Sequence, residues 1–577
     1  MTFKTALRAR PEAFLLVLLA LFLVSSSGLL GQTYQQVAPK SPEQDRQPVA
    51  VAPAAPATAP VADPNEVLVP ILRGVRLVPS VERVSKTPIS VGEPLVIVDL
   101  PWLRQGSADS AANEFVGHPL TRGDLVRLVR ELVLLCRASD RSVVDVFAPP
   151  QDVSSGVVQV VVMVARFGQV TVEGNRFFSS PVMLRQMRVA QGTEITESSL
   201  MGDMDRLNQN PFRQVDLVYS RGAEAGMTDI VLRVRDIRPE RVYAGYEDSG
   251  NAVTGLGRVM AGFNLGNLWD EDHQVNYQYT RSTDSDRLQA HSGSYTVLLP
   301  WRNIISVYGD WSQAILQPGE LFALDGVSWQ VGLRYTVPLP NMRVYEQSLV
   351  FGADYKWSNN NLAFGGVQVF NSPENIAEGS IAYTGSRTDL HGTTQGSVTL
   401  FVSPGGVGGL NHDHDFAVQR PGAKADYEYV QASFARIERL PNKYTLMLTT
   451  LSQWSSGRLL PSEQFGLGGG ASVRGYDERL ANGDDGVSGQ LELRTPNLHL
   501  LGKIPDKTQF LVFVDGGRDW QHNRIPGEFD YTFASAGPGI RLNIGTHGTI
   551  KADYGFELQR ISGTRSGRPH LSAILSF

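Results

Sequence analysis

Ile550-Lys551-Ala552-Asp553-Tyr554-Gly555-Phe556-Glu557-Leu558-Gln559 is the stretch that decides the fold. Ile550, Ala552, Tyr554, Phe556 and Leu558 alternate with Lys551, Asp553, Gly555, Glu557 and Gln559. A strict period of two makes a strand with one apolar and one polar face. Soluble strands average about 5–6 residues, whereas a strand that crosses a bilayer takes about 9–11. This run has the length of the second kind.

Working outward, the same alternation recurs. Val275, Tyr277 and Tyr279 alternate with Asn276, Gln278 and Thr280. From Arg241 onward no 3.6-residue periodicity is visible, and Gly and Tyr are frequent. About sixteen such segments can be placed, the even number expected of a bacterial barrel. They lie near 241–249, 257–265, 273–282, 288–299, 303–312, 327–337, 345–357 and 377–388. The second eight lie near 393–402, 427–438, 443–455, 486–495, 508–517, 531–543, 548–559 and 568–577.

The links between them separate a membrane barrel from a soluble sandwich. After even-numbered strands they are mostly short: Trp301-Arg302, Leu390–Gly392, Pro441-Asn442 and Gly545-Thr546. After most odd-numbered strands they are long: Gln313–Gly326, Ser358–Ile376, Ser403–Tyr427, Ser456–Gly486 and Arg518–Tyr531. Short turns at one end and long loops at the other are the plan of a transmembrane β-barrel. A sandwich has no reason to sort loop lengths by parity. In lipid no water satisfies backbone N–H and C=O groups, so the sheet must close and its polar face must line a wet lumen. The last strand places Leu571, Ala573, Leu575 and the terminal Phe577 on one face, with Ser572 and Ser576 on the other.

The N-terminus reads as an export signal. Lys4, Arg8 and Arg10 precede the apolar run Ala13–Val24, and small residues follow at Ser25–Gly28. That is the pattern of a cleaved signal peptide, assigned to residues 1–31. A membrane anchor is the competing reading, but the run is short for a span. Residues 32–66 contain the Pro/Ala/Val-rich stretch Gln47–Pro64 and read as an extended linker. Formal net charge is −6, which argues against nucleic acid as a partner. The one cysteine, Cys136, excludes an intramolecular disulfide and reads as a small core residue of an apolar helix rather than a nucleophile.

Residues 67–237 are mixed α/β. Val67–Leu77 reads as a strand, and Leu120–Arg137 as a helix opening near Thr121 with Asp124 three residues on. Val143–Phe147 and Val157–Val164 flank the turn Ser154-Ser155-Gly156. Then Val170–Val172, helices at Pro181–Val189 and Glu197–Asn208, and strands at Val215–Tyr219 and Asp229–Val234 repeat the order. Two β-α-α-β-β units account for this, at 67–166 and 167–237, the first with an insertion between Pro79 and Gly117. The barrel takes 238–577.

Gly466–Gly470 leads into Val473-Arg474-Gly475-Tyr476 in the longest of these loops, and Phe513-Val514-Asp515-Gly516-Gly517 lies on a strand downstream. Here the chain resembles the outer-membrane transporters of two-partner secretion, the TpsB family, within the superfamily that includes barrel-assembly insertases. That family carries a V-R-G-Y motif in its sixth outer loop and F-x-D-x-G on a nearby strand. Pro149-Pro150-Gln151-Asp152 is similar to the P-x-Q-D segment of the family's first POTRA domain, and Glu173-Gly174-Asn175 with Phe177 and Phe178 to a POTRA opening. The resemblance spans about residues 67–577. It implies two periplasmic POTRA domains before an antiparallel barrel of about sixteen strands. It also implies that Arg474 of the infolded loop meets Asp515 on the lumen face, beside Phe513 and Gly517, with Tyr476 anchoring the loop tip. An aromatic last residue, Phe577, resembles the C-terminal signature of outer-membrane proteins.

Other signals are discounted. His412-Asp413-His414-Asp415 reads as a solvated polar loop rather than a metal site. Gly468-Gly469-Gly470 has no helix after it to cradle a phosphate, and Asn482-Gly483-Asp484-Asp485-Gly486 reads as a turn rather than a calcium loop. No catalytic constellation, cofactor motif or metal set is legible. The resulting expectation is a monomeric translocator in outer-membrane lipid that binds an unfolded exoprotein through its POTRA domains and secretes it through the barrel. An insertase that assembles other barrel proteins is the alternative, though it usually has more POTRA domains; a diffusion porin would have none. Two features depart from the family: no helical pattern for a plug precedes the linker, and the 79–117 insertion points to a client outside the usual haemagglutinin or haemolysin type.

Overall fold

The computed structural model describes residues 34–42 and 63–577, apart from 90–91, 104, 225, 252–253, 284–286, 320–321, 342–344, 365–366 and 562–565. The signal-peptide reading and most of the linker reading fall outside the described residues. Two compact units meet at the Arg238–Pro239 boundary in sequence, and a one-turn helix α1 (Tyr34–Val37) belongs to the second of them.

The first unit holds two α/β domains, each with its own core. In the earlier one, β1 (Val67–Val69) pairs with β4 (Leu120–Thr121), while β2 (Gly74–Val78), β3 (Leu95–Ile97), β5 (Val144–Phe147) and β6 (Val157–Val164) form a sheet in the order β3-β2-β6-β5. β6 has six consecutive buried residues because it is central and covered on both sides, which is why it reads as an apolar run broken only by Gln159. Against the sheet lie α2 (Gln105–Asn113) and α3 (Arg122–Ala138). Thr121 caps α3: its hydroxyl accepts from Asp124 N and the Asp124 carboxylate accepts from Thr121 N, both at 3.1 Å. Leu128, Leu132 and Cys136 recur along one face of α3 and are buried.

The stretch 79–117, expected to be an insertion, is instead part of the domain. It supplies edge strand β3 and the first of the two helices, with Ala108, Ala112 and Phe115 in the core. α2 reads Gln-Gly-Ser-Ala-Asp-Ser-Ala-Ala-Asn. Its buried face is alanine, so no apolar stripe announces the helix. The inference of an unusual client loses its basis with the insertion.

The later domain repeats the plan with β7 (Arg166–Glu173), α4 (Ser180–Arg185), α5 (Glu197–Leu207), β8 (Arg213–Arg221) and β9 (Met227–Asp236). Its sheet order is β7-β9-β8, with β7 parallel to β9. Phe167, Met183, Leu200, Met204, Val215 and Leu232 fill its core. The two familiar segments act as clasps. Gln151 donates to Gln159 O at 2.7 Å and accepts from Gln159 N at 2.6 Å, bridging the start of β6 as an extra strand would. One oxygen of Asp236 accepts from the backbone N–H groups of Arg176, Phe177 and Phe178.

The second unit is a closed antiparallel barrel of sixteen strands. The first eight are β10 (Glu240–Glu247), β11 (Arg258–Leu268), β12 (His273–Ser282), β13 (Leu288–Leu298), β14 (Ile304–Gly319), β15 (Phe322–Pro338), β16 (Tyr345–Phe364) and β17 (Val367–Thr388). Next come β18 (Gly392–Pro404), β19 (Asp426–Arg439) and β20 (Thr445–Ser455). Between β18 and β19 lies α6 (Asp413–Gln419), and a two-stranded ribbon of β21 (Phe465–Leu467) and β22 (Ala481–Gly483) follows β20. β23 (Asp485–Arg494), β24 (Asp506–Trp520), β25 (Thr532–Ile544), β26 (Gly548–Glu557) and β27 (Gly567–Ser576) complete the wall. Closure is by β10 against β27, from Tyr243↔Ser576 to Glu247↔Ser572. Phe577 extends this seam by exchanging backbone hydrogen bonds with Val242 at 2.9 and 3.0 Å. The residue itself is 80% exposed.

Alternation sorts the two faces. On β24, Phe510, Val512 and Val514 are exposed, whereas Leu511, Phe513 and Asp515 are buried. Two of the expected long loops are corrected. Gln313–Gly326 and Ser358–Ile376 are continuations of the hairpins β14–β15 and β16–β17, paired almost to their tips. Ser358–Ile376 is rich in Asn, and neither stretch sustains the alternation, because a hairpin beyond the lipid has water on both faces. The loops after β18, β20 and β24 remain long.

Candidate functional site

The loop from β20 to β23, residues 456–484, turns back into the barrel, and its motif lies against the lumen face of β23 to β27. Val473 and Tyr476 are buried with Phe465, Leu467 and Phe533. Arg474 sends Nε to Asp515 Oδ2 at 2.7 Å and Nη2 to Oδ1 at 2.8 Å, while its own backbone N–H donates to Oδ2 at 3.1 Å. Nη1 reaches Glu492 at 2.6 Å and Asp553 at 3.3 Å. The guanidinium carbon stands 3.6 Å from the centroid of the Phe513 ring. Arg541 bonds Asp553 at 2.6 and 2.9 Å, and Arg494 bonds Glu492 at 2.8 Å.

Desolvating ions costs several kcal/mol each, and attraction recovers that only with good geometry and full pairing. Here three guanidinium groups face three carboxylates, and the central contact is a two-point fork, the geometry for which arginine is suited and lysine is not.

The rest of the motif fixes the loop tip. Gly475 has φ +93 and packs against Gly555, whose carbonyl oxygen would lie 2.9 Å from any Cβ at position 475. Its N–H donates to His570 Nε2 at 2.9 Å. Tyr476 stacks on Phe533 with centroids 4.4 Å apart, and its hydroxyl donates to Gln559 O at 2.6 Å. A Cβ on Gly517 would stand 2.5 Å from Leu467 of the loop, and one on Gly486 would stand 2.1 Å from the Phe465 ring. Side-chain-free positions on the wall thus make room for the loop.

Two further anchors hold the loop. Glu463 accepts from Lys356 Nζ at 2.8 and 2.9 Å and from the Tyr429 hydroxyl at 3.0 Å. At the loop's return, Asp484 pairs with Arg420 and accepts from the N–H groups of Leu459 and His522, both at 2.8 Å. Arg420 also reaches Leu459 O and Gln521, both at 2.6 Å, and Arg458 pairs with Glu528 at 2.5 Å. The stretch 482–486, read as a turn, is therefore corrected: it joins the end of β22 to the start of β23 and holds a buried carboxylate that ties three loops together. His412 precedes α6, where Asp413 accepts from Ala425 N at 2.9 Å. Sequence reasoning missed Glu492, Asp553, Arg541, Gly555 and His570. Gly555, a position without a side chain on the polar face of an alternating strand, is the available signal.

α1 and the residues after it contact lumen-facing side chains. Val37 O accepts from Ser292 Oγ at 2.6 Å and Gln278 Nε2 at 3.2 Å, Lys40 pairs with Glu247 at 3.0 Å, and Tyr34 packs on Tyr308 at 4.4 Å between centroids. A segment in which no helical pattern is legible thus contains one helical turn set inside the barrel.

Residues 226–542 match the family model for the haemolysin secretion/activation protein ShlB/FhaC/HecB. The heme/hemopexin transporter protein HuxB of Haemophilus influenzae is 21% identical over 396 residues, 66% of this chain and 67% of that one. The outer membrane transporter CdiB of Dickeya dadantii is 22% identical over 404 residues, again 66% and 67%. The aligned part thus spans about two thirds of these relatives. The solved structure of CdiB from Escherichia coli superposes with a TM-score of 0.74 at 16% identity, covering 91% of this chain and 94% of that one. The fold is accordingly that of POTRA domains followed by an outer-membrane barrel, and this chain belongs to the ShlB/FhaC/HecB family of haemolysin secretion and activation proteins.

Proposed function

We propose that the protein is a dedicated translocator: an unfolded exoprotein docks on the POTRA domains and leaves through the barrel as the loop carrying Arg474 shifts. The family match carries the transport role, and the Arg474–Asp515 fork inside the lumen supports the loop as the moving part. The proposed domain limits are 67–166 and 167–237. Docking is by β-augmentation, in which a client strand adds to a sheet edge. On β8 that edge is already occupied at Val215, whose N–H and C=O bond the Asn208 side chain at 2.7 and 3.1 Å. β7, β3 and β5 are the other sheet edges. α1 narrows the resting pore, the transporter works as a monomer in outer-membrane lipid, and it performs no catalysis. Folding of the client outside supplies the drive.

The test compares culture medium and outer membrane with and without the gene. Loss of one or two large exoproteins from the medium, with the outer membrane unchanged, is the expected result. A joint fall of many barrel proteins in the outer membrane identifies an insertase instead.

A further inference from the structure

The connection from β23 to β24, residues 495–505, is longer than the barrel's other turns at the same end, such as 299–303, 389–391 and 545–547. It is also unusually apolar at its surface. Leu498, Leu500, Leu501 and Ile504 are 38%, 55%, 38% and 51% exposed. An exposed apolar patch of this kind marks an interaction surface.

The backbone shows which way the patch faces. Phe510, Val512 and Val514 are the lipid-facing residues of β24. Asp506 and Thr508 continue that same face, yet are 2% and 1% exposed. The turn itself covers them. Leu500 N and Leu501 N donate to the Asp506 carboxylate at 3.0 and 3.2 Å, Thr508 Oγ1 donates to it at 2.6 Å, and Leu498 exchanges backbone bonds with Thr508 at 2.8 Å. The turn therefore folds back over the outside of the wall rather than into the lumen. A bare carboxylate on that face would meet hydrocarbon at large cost. Here it is capped by N–H groups, and leucine side chains are presented in its place.

We propose that residues 498–504 form an interfacial anchor seated in the periplasmic leaflet, the leucines among the upper acyl chains and Lys503 toward the phosphate headgroups. Two observations select lipid as the occupant. The patch is continuous with the lipid-facing band of β24, and the exposed charge within it, Lys503, is cationic, the combination that binds an anionic lipid surface.

The test uses the full-length chain with Leu500→Cys labelled by an environment-sensitive fluorophore, the unsubstituted protein serving as the labelling blank. The protein is reconstituted in vesicles of phosphatidylethanolamine and phosphatidylglycerol. Spin-labelled lipid is expected to quench the probe at least about twofold more strongly than iodide supplied on both sides, because an interfacial segment lies at the headgroup and acyl boundary. Stronger quenching by iodide, or quenching by neither agent, overturns the proposal and gives the patch to water or to a protein partner. Gel mobility of the unboiled protein reports whether the barrel has folded, and Ile504→Cys is the second probe should the first variant fail to fold.

Discussion

Arg474 grips both oxygens of Asp515, at 2.7 and 2.8 Å, while standing over the ring of Phe513, whose side chain shares Asp515's face of β24. Removing Arg474 leaves Asp515 buried without its cation, and removing Asp515 takes from Arg474 its two-point partner, a loss of about 3–5 kcal/mol in holding the loop. Arg474→Ala and Asp515→Ala are each expected to cut exoprotein in the medium at least tenfold, by about 1.4 kcal/mol or more. The double variant is expected to be no worse than the singles, because the two residues act as a unit. Arg474→Lys keeps the charge but not the fork, and recovers only part of the loss. Quantitative immunoblotting of the medium, normalised to barrel in the membrane, reads this out.

A wall glycine can be tested by size alone. Gly486→Ala would drive a methyl into the Phe465 ring and displace the β21–β22 ribbon, at a cost of about 1–3 kcal/mol for overpacking. Phe465→Ala in the same chain opens that space. Secretion is expected to fall with Gly486→Ala and to recover in the double variant; equal defects in both would show that the clash is not what matters.

The outer end has its own tie. Asp484 accepts from Arg420, Leu459 N and His522 N, so Asp484→Ala leaves a buried guanidinium and two backbone donors short of their partner. The loops at 405–425 and 521–531 are expected to become protease-sensitive on intact cells, with cleavage at least several-fold faster than in the unsubstituted protein. The barrel strands are expected to stay protected.

Cys136 gives a pH prediction in the first POTRA domain. Burial pushes its thiol from the ordinary 9.0 up to about 12. At pH 8 the thiolate fraction is then about one in ten thousand, so iodoacetamide is expected to label it only after denaturation. The sign for stability follows. The folded state holds the proton more tightly than the unfolded one, so this contribution is complete below about pH 9 and is lost progressively toward pH 12. Chemical denaturation at pH 8 and pH 10.5 checks it.

Most of the barrel was legible because lipid on one side and a wet lumen on the other impose a period of two. Where that solvent contrast ends, so does the signal. The upper parts of β14–β17 are bathed in water on both faces and looked like loops. α2 buries alanines, which leave no hydrophobic stripe, and α1 is a single turn held by contacts to distant strands. The site divides the same way. Arg474 and Asp515 were legible through a family motif, whereas Glu492, Asp553 and Arg541 are ordinary lumen-facing charges until the register sets them side by side. Asp484 hid in a turn-like Asn-Gly-Asp-Asp-Gly string, because what makes it a hub comes from Arg420 and His522, far away in sequence.

The hairpins β14–β15 and β16–β17 give the outer mouth a lopsided rim. β16 and β17 run for 20 and 22 residues, a path of about 66–73 Å at about 3.3 Å per residue. β23 and β26, across the pore, have 10 residues each. An emerging polypeptide therefore meets a tall parapet on one flank and a low sill on the other. On this plan a polypeptide leaving the pore is walled off from the medium along the β14–β17 flank and open to it along the other.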